Sequence, residues 1–318
     1  MNGRRTLAAW AASAALLAGA ARAQDSHAAR AIVSGTAHQA LFAIAVDGTA
    51  ALAVGAAGEI QQSADSGKTW APAAALPTQL GLLGVTMAAG HAIAVGQMGT
   101  VLLRDGGGTW TAAASGVHER LFAVALNSHG VAAAVGAFGT ILRSVDRGRT
   151  WASVSPDWSS YAADGEQPHL YDVAVNEAGV MTVAGEFGLI LRSLDGHDWK
   201  TLHKGDASLF ALDLRADGGG FAVGQNGTVL HTADGGATWQ AQSSASGAIL
   251  LGVRSAASGS VVASGMHEML SSTDGGRSWT RMAGSGFASG WYQGIASAQN
   301  GHAWLVVGNA GQVLMIDH

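Results

Sequence analysis

Ser144-Val145-Asp146-Arg147-Gly148-Arg149-Thr150-Trp151 decides the fold, because the chain keeps rewriting it. Ser63 to Trp70 repeats the same S-x-D-x-G-x-T-W pattern around Asp65, and Thr232 to Trp239 and Ser272 to Trp279 are near copies around Asp234 and Asp274. Leu103 to Trp110 keeps Asp105 and Trp110, and a copy one residue shorter keeps Ser193, Asp195 and Trp199. The six tryptophans (Trp70, Trp110, Trp151, Trp199, Trp239, Trp279) are spaced 40, 41, 48, 40 and 40 residues apart. A period near 40 marks a repeat architecture, to be read before any local motif is trusted.

Working outward, each copy reads as a hairpin turn. The Asp accepts hydrogen bonds from backbone N–H groups of its own turn, and the Gly takes a backbone conformation other residues resist. The Ser or Thr two places earlier adds a side-chain bond. The Trp opens the following strand and folds back as an apolar plug. Upstream lies a recurring first strand: Leu41-Phe42-Ala43-Ile44 returns at Leu82, Leu121, Leu170, Leu209, Leu250 and, diverged, at Tyr292. Its third position is Ala, Gly, Ala, Asp, Ala, Gly, Gly, as an innermost strand crowded about an axis requires.

A Gly-x-x-Gly turn recurs at Gly55, Gly96, Gly136, Gly185, Gly224 and Gly308; near Gly265 the second glycine reads as replaced by Glu268. No helix follows these turns, so they are hairpins and not phosphate loops. There are seven units of about four short strands, and the last stops after its third. The spare strand, Ala31 to Val33, lies at the other end. The expectation is an all-β fold: a seven-bladed propeller of four-stranded antiparallel blades, closed by the N-terminal strand pairing with the last blade, which removes two sheet edges.

The chain opens with Arg4 and Arg5, an apolar run from Leu7 to Ala20 and an A-x-A site at Ala21-Arg22-Ala23. This reads as a signal peptide over 1–23, cleaved after Ala23, leaving 24–318 as a single propeller domain in the periplasm or secreted. The run is too short for the roughly 20 residues that span a bilayer. There is no cysteine, hence no disulfide, thiolate metal site or lipid-bearing cysteine. Losing three arginines and no acid takes the formal charge from −5 to −8, which disfavours nucleic acid as a partner. With 12% charged residues and 46 glycines, the composition suits short strands and tight turns.

Consecutive turns of an up-and-down blade alternate between the two faces of the disc. The S-x-D turns therefore share one face, and the Gly-x-x-Gly tips share the other with the blade-to-blade connections. Tips are solvent-facing, so Met98, Phe138, Phe187 and Met266 are unusual there. The one long connection, Ser153 to His169, carries Trp158, Tyr161, Asp164, Glu166 and His169 and joins the units bearing Phe138 and Phe187. Two readings stay open. Either Phe138, Trp158, Tyr161, Phe187, Met98 and Glu186 form a partner-binding patch, or the insertion folds down and buries its own rings. Arg143 and Arg192, at matching positions of adjacent units, are either a basic strip for a partner or an outward strand position.

No histidine or acid spacing suggests a metal centre, and no metal or cofactor is expected. The S-x-D aspartates are turn residues, too regular for an acid–base pair. The best polar candidates for the central channel are Tyr171 and Asp172. The turn is the Asp-box of the bacterial neuraminidase repeat, which raises a sialidase-like glycosidase, but the arginine cluster and the F/Y-R-I-P signature are absent. A carbohydrate-binding propeller is the other alternative.

Gly224-Gln225-Asn226-Gly227-Thr228-Val229-Leu230-His231-Thr232-Ala233-Asp234-Gly235-Gly236-Ala237-Thr238-Trp239 resembles the repeat of the photosystem II stability/assembly factor family. The resemblance spans roughly residues 31 to 318. It implies a non-enzymatic propeller outside the cytoplasm, acting as a monomer, that binds a partner polypeptide to assemble or stabilise a membrane complex. In a non-photosynthetic bacterium that complex would be an envelope assembly such as a transporter. The family's basic patch maps here only onto Arg143 and Arg192; Gln62 and Ser271 depart from it.

Overall fold

The computed structural model describes residues 29–75, 77–161, 166–284, 286–298 and 302–317. The expected signal peptide lies outside them. The first blade sets the pattern: β2 (Leu41–Asp47), β3 (Ala50–Gly55), β4 (Ile60–Ser63) and β5 (Ala71–Pro72) pair in that order. Five further sheets repeat it. The seventh joins Tyr292–Ala298, Ala303–Gly308 and Val313–Asp317 to β1 (Ala29–Val33), which lies antiparallel to Val313–Asp317. The seven sheets form a ring of blades closed by the N-terminal strand, as the spare strand predicts.

The second strands explain why so much of the chain is apolar and small. Ala132–Gly136 and Val261–Gly265 are buried at every position. Alternate residues of one such strand serve two different seams. Ala51 and Ala53 pack toward blade seven, while Leu52 and Val54 pack toward blade two. A strand buried on both faces reads as a continuous apolar run, and close blades demand Ala and Val. The apolar clusters among the described residues are these seams.

The tryptophans sit in the seams too. Trp70 packs with Leu305 and Val307 of blade seven, and Trp151 with Ile93 and Leu103 of blade two. Each plug is thus driven between its own blade and the preceding one. The seam between blades six and seven has no such tryptophan; Phe287, Tyr292, Trp304 and Ala29 of β1 fill it instead.

The turn that aims each tryptophan is built as its sequence implies. Asp146 Oδ1 accepts from Thr150 N at 2.9 Å and Ser144 Oγ at 2.7 Å, and Oδ2 accepts from Thr150 Oγ1 at 2.7 Å. Ser144 Oγ in turn accepts from Gly148 N at 2.9 Å. Gly148 has φ +82°, and a Cβ there would lie 2.9 Å from side-chain carbons of Ile93 and Leu103 across the seam. The glycine therefore serves both the turn and the approach of two blades. The same bonds recur around Asp65, Asp234 and Asp274. Hydrogen bonding, with the threonine first, holds the Asp146 carboxyl down at about 2.

Two repeats differ from their sequence reading. The second blade is one residue shorter before its tryptophan, so its strand register carries Asp105 opposite His91. Asp105 leaves the turn and meets His91 Nδ1 at 2.6 Å and Arg149 Nη2 at 2.8 Å. It is not a box aspartate, although Trp110 still fills its seam. In blade six the tip is shortened, not substituted: Gly265 N bonds to Glu268 O, where Gly136 N reaches Thr140 O. Glu268 is buried and bonded by Arg281 and Ser246. Asp195, in the contracted fourth turn, accepts from His197 N and Asp198 N instead of a threonine.

Asp146→Asn removes the charge on which three bonds converge, and should lower the melting temperature by roughly 5 °C. Asp105→Asn should shift it by no more than about 1 °C, since exposed ion pairs contribute little. Thermal unfolding of both variants at neutral pH checks the contrast; equal shifts would contradict the reassignment of Asp105.

Candidate functional site

Every first strand carries an irregularity between its first and third residues, as at Leu41/Ala43, Leu121/Ala123 and Tyr292/Gly294. A bulge of this kind re-aims one side chain. The second residue, which the bulge displaces, is Phe42, Leu83, Phe122, Tyr171, Phe210, Leu251 or Gln293. All seven line the central channel and are half-buried, while the first residues, such as Leu41 and Leu121, are fully buried. The bulge thus turns a bulky column inward at the start of the strand.

That start lies on the Gly-x-x-Gly face. The first residue of each tip donates its N–H to the carbonyl just before its first strand, for example Ala137 N to Arg120 O and Glu186 N to His169 O. The opposite turns also meet one another, as in Arg147 N to Gly130 O, so the two faces separate as expected. The tips stand around the channel mouth. Met98 and Phe138 are 62% exposed, Phe187 49% and Met266 38%. Met98, Phe138 and Phe187 also take φ of +55°, +52° and +57°. Asn226 occupies the same tip position in blade five, and Asn enters this conformation far more readily than Phe. Bulky apolar residues are thus held outward where backbone preference opposes them, the pattern of a residue kept for contact.

Over blades three to five the rings join. Phe138 packs edge-on to His169 with centroids 5.1 Å apart, His169 lies 6.1 Å from Phe122, Phe122 lies 5.6 Å from Tyr171, and Tyr171 lies 4.8 Å from Phe210. Phe138 N donates to His169 Nδ1 at 3.2 Å, tying tip to platform. Glu186 braces the other side, accepting from His169 N at 2.7 Å and Tyr171 Oη at 3.3 Å. Burial, with the Glu186 charge, pushes the Tyr171 hydroxyl up to about 12.

Below the mouth the channel encloses about 430 Å³. Most of its wall is backbone and small or aliphatic side chains, but three charged groups face it. Asp172 accepts from Leu212 N at 2.7 Å and Val173 N at 2.8 Å. Asp213 pairs with Arg254 at 3.2 Å and accepts from Ser255 N at 2.7 Å. The two carboxylates therefore stitch blade four to five and five to six. Burial, with Asp213 adding repulsion, raises the Asp172 carboxyl from 3.8 to about 6, against the pull of its backbone bonds and Arg254.

The remaining expected site residues fall elsewhere. Trp158 is 5% exposed and is not a surface contact: its Nε1 donates to Gly139 O at 3.1 Å, and its ring occupies the space a Cβ on Gly139 would need. An indole with a partner for its N–H gains more by covering the tip than by facing water. Tyr161 leans on it at 5.3 Å and donates to Trp199 O at 3.4 Å, under Lys204. For these two rings the self-packed reading holds. Arg143 and Arg192 lie four residues beyond the second glycine of their tips, toward the other face. Arg143 is not at an outward position: its stem runs into the seam against Gly196 of the next blade. The Nε atoms of both are shielded from solvent with no hydrogen-bond partner. Met98, Phe138, Phe187 and Glu186 alone of the expected set border the mouth. Tyr171 and Asp172 line the channel as expected, but the rest of the bulge column, Asp213 and Arg254 went unrecognised; the signal was a bulky second position, and two charges at a fifth position held elsewhere by Ala and Thr.

A folded carboxyl pKa above the unfolded one means the native state holds that proton more tightly. The Asp172 contribution is therefore fully present below about pH 3.8 and is lost as pH rises through about 6. Melting curves from pH 5 to 7.5 should show a destabilising step in the native protein that Asp172→Asn flattens. Parallel curves for the two proteins would show that Asp172 is not the group responsible.

The family model described as Photosynthesis system II assembly factor YCF48 matches residues 191–316, less than half of the chain. The sequence matches none of the curated proteins compared. A solved structure described as YCF48 bound to D1 peptide is 16% identical with a TM-score of 0.72, covering 91% of this chain and 97% of that one. YCF48 from Cyanidioschyzon merolae is 19% identical with a TM-score of 0.71, covering 91% and 99%. A GH74 xyloglucanase from Xanthomonas campestris is 17% identical with a TM-score of 0.71, covering 91% of this chain and 53% of the enzyme. At these identities the solved structures show the fold alone. With the ring, its closure and the matched blades together, the chain is a seven-bladed propeller resembling the photosystem II assembly factors.

Proposed function

We propose that this protein is an exported, non-enzymatic propeller that binds a polypeptide segment of a membrane-complex subunit on its Gly-x-x-Gly face and helps assemble that complex. One observation carries the reading: Met98, Phe138 and Phe187 are held exposed in left-handed tips around an aromatic mouth. Monomeric proteins rarely leave such surface uncovered without a partner. The relative described as bound to D1 peptide shares the architecture and supports a peptide ligand, here one of unassigned identity. Its site of action would be the periplasm, following the secretion signal read in residues 1–23.

The tyrosines argue against a sialidase-like reaction. Tyr161, Tyr171 and Tyr292 donate to Trp199 O, Glu186 and Gln312, and burial raises the hydroxyl pKa of each. A phenol harder to ionise is a poorer nucleophile. A degenerate sugar site has no comparable support.

The test is a crosslinked pull-down from native membranes. Wild-type protein should enrich one membrane complex, and Phe138→Ala/Phe187→Ala should lose most of it, about tenfold or more for two interface aromatics. Equal recovery by the variant would move the site off this face, and no enriched membrane protein would overturn the reading.

A further inference from the structure

The tips and bulge column form a funnel with an apolar rim and a charged throat. In the throat, Arg254 is committed to Asp213 and to Leu212 O. Asp172 is bonded only to backbone N–H groups, and Glu186 at the rim to a backbone N–H and the Tyr171 phenol. Among the described residues neither carboxylate makes a direct ion pair, and the Arg254 guanidinium that acts on Asp172 is itself paired with Asp213. Phe122, Tyr171 and Phe210 bring three neighbouring rings to the same quadrant of the channel.

We infer that the funnel selects a partner segment carrying an arginine or lysine flanked by apolar residues, the cation entering the mouth over blades four and five while its neighbours lie on Phe138, Phe187 and Met98. This rests on the proposed peptide-binding face and adds the chemistry of its ligand. A cation over the Tyr171–Phe210 pair gains from ring faces as well as from carboxylates. An acidic side chain would meet Glu186 and Asp172 with only a guanidinium already neutralised by Asp213. The long aliphatic stem of lysine or arginine suits the apolar stretch between rim and throat. Burial holds the Asp172 carboxyl up at about 6, and a cation entering beside it favours its ionised form. The charged groups facing Asp172 are Arg254 and Asp213 from the two following blades, with Tyr171 and Glu186 above.

The test uses the full mature chain, fluorescently labelled, on three bead libraries of nonapeptides. The central residue is arginine, its neutral isostere citrulline, or glutamate; the flanks are randomised over Leu, Phe, Met, Ser and Gly. The arginine library should give at least tenfold more stained beads than either other library, and the excess should shrink as pH falls from 7.5 to 5. Glu186→Gln should cut the excess severalfold without changing the melting curve; an excess that Glu186→Gln leaves intact places the cation elsewhere and overturns the assignment. Equal staining of the three libraries, a glutamate preference, or no staining at all overturns the inference. If Phe138→Ala/Phe187→Ala still abolishes membrane-complex capture in that case, the binding face stands and only its cation selectivity falls.

Discussion

The ring depends on one recurring contact: a tryptophan driven between blades, in four of them by a turn whose aspartate is saturated with hydrogen bonds. Blades contribute little core of their own; their second strands are buried on both faces and belong half to each neighbour. Stability therefore lives in the seams, and each seam needs a wedge at its outer end. Trp70, Trp110, Trp151, Trp199, Trp239 and Trp279 supply it. The last seam uses Trp304 and Phe287 with the N-terminal strand, so closing the ring and sealing its last joint are one event. Repeat stability of this kind is a sum of neighbour terms, and closure makes the sum cooperative.

This division of labour frees the opposite face. The box turns carry the geometry that holds the blades at their spacing, and their aspartates are committed. The Gly-x-x-Gly tips carry no comparable duty and vary from blade to blade. Where they vary to Met and Phe, these residues sit exposed at the left-handed position that Ala57, Asn226 and Ala310 hold in other tips. The bulge beneath does the complementary work, turning Phe42, Leu83, Phe122, Phe210 and Leu251 toward the axis. Apolar surface thus runs from the rim into the mouth, with Glu186, Asp172 and the Asp213–Arg254 pair below it.

Much of this was legible in the chain because repetition turns weak local signals into columns. The S-x-D-x-G-x-T-W spacing, the small third position and the incomplete last unit led to the closed seven-bladed ring. What failed was register. A one-residue deletion before Trp110 kept the letters of a box while moving Asp105 out of it, and another hid in the Gly265 tip. Neither open reading of Arg143 fits, because its stem runs into the seam against Gly196 of the next blade. The choice between a surface and a self-packed Trp158 stayed open because its partner, the tip at Gly139, is remote in sequence. The mouth stayed hidden because a bulge reverses one side chain without leaving a consistent residue type behind.

Site-specific photo-crosslinking in the native cell separates the two faces most directly. A benzophenone amino acid at Phe138 samples the tips, and one at Val145, also 62% exposed, samples the box turns. The account predicts a discrete adduct from position 138 and none from 145. An adduct from 145 with none from 138 would put the partner on the face assigned to holding the ring together, and would contradict it.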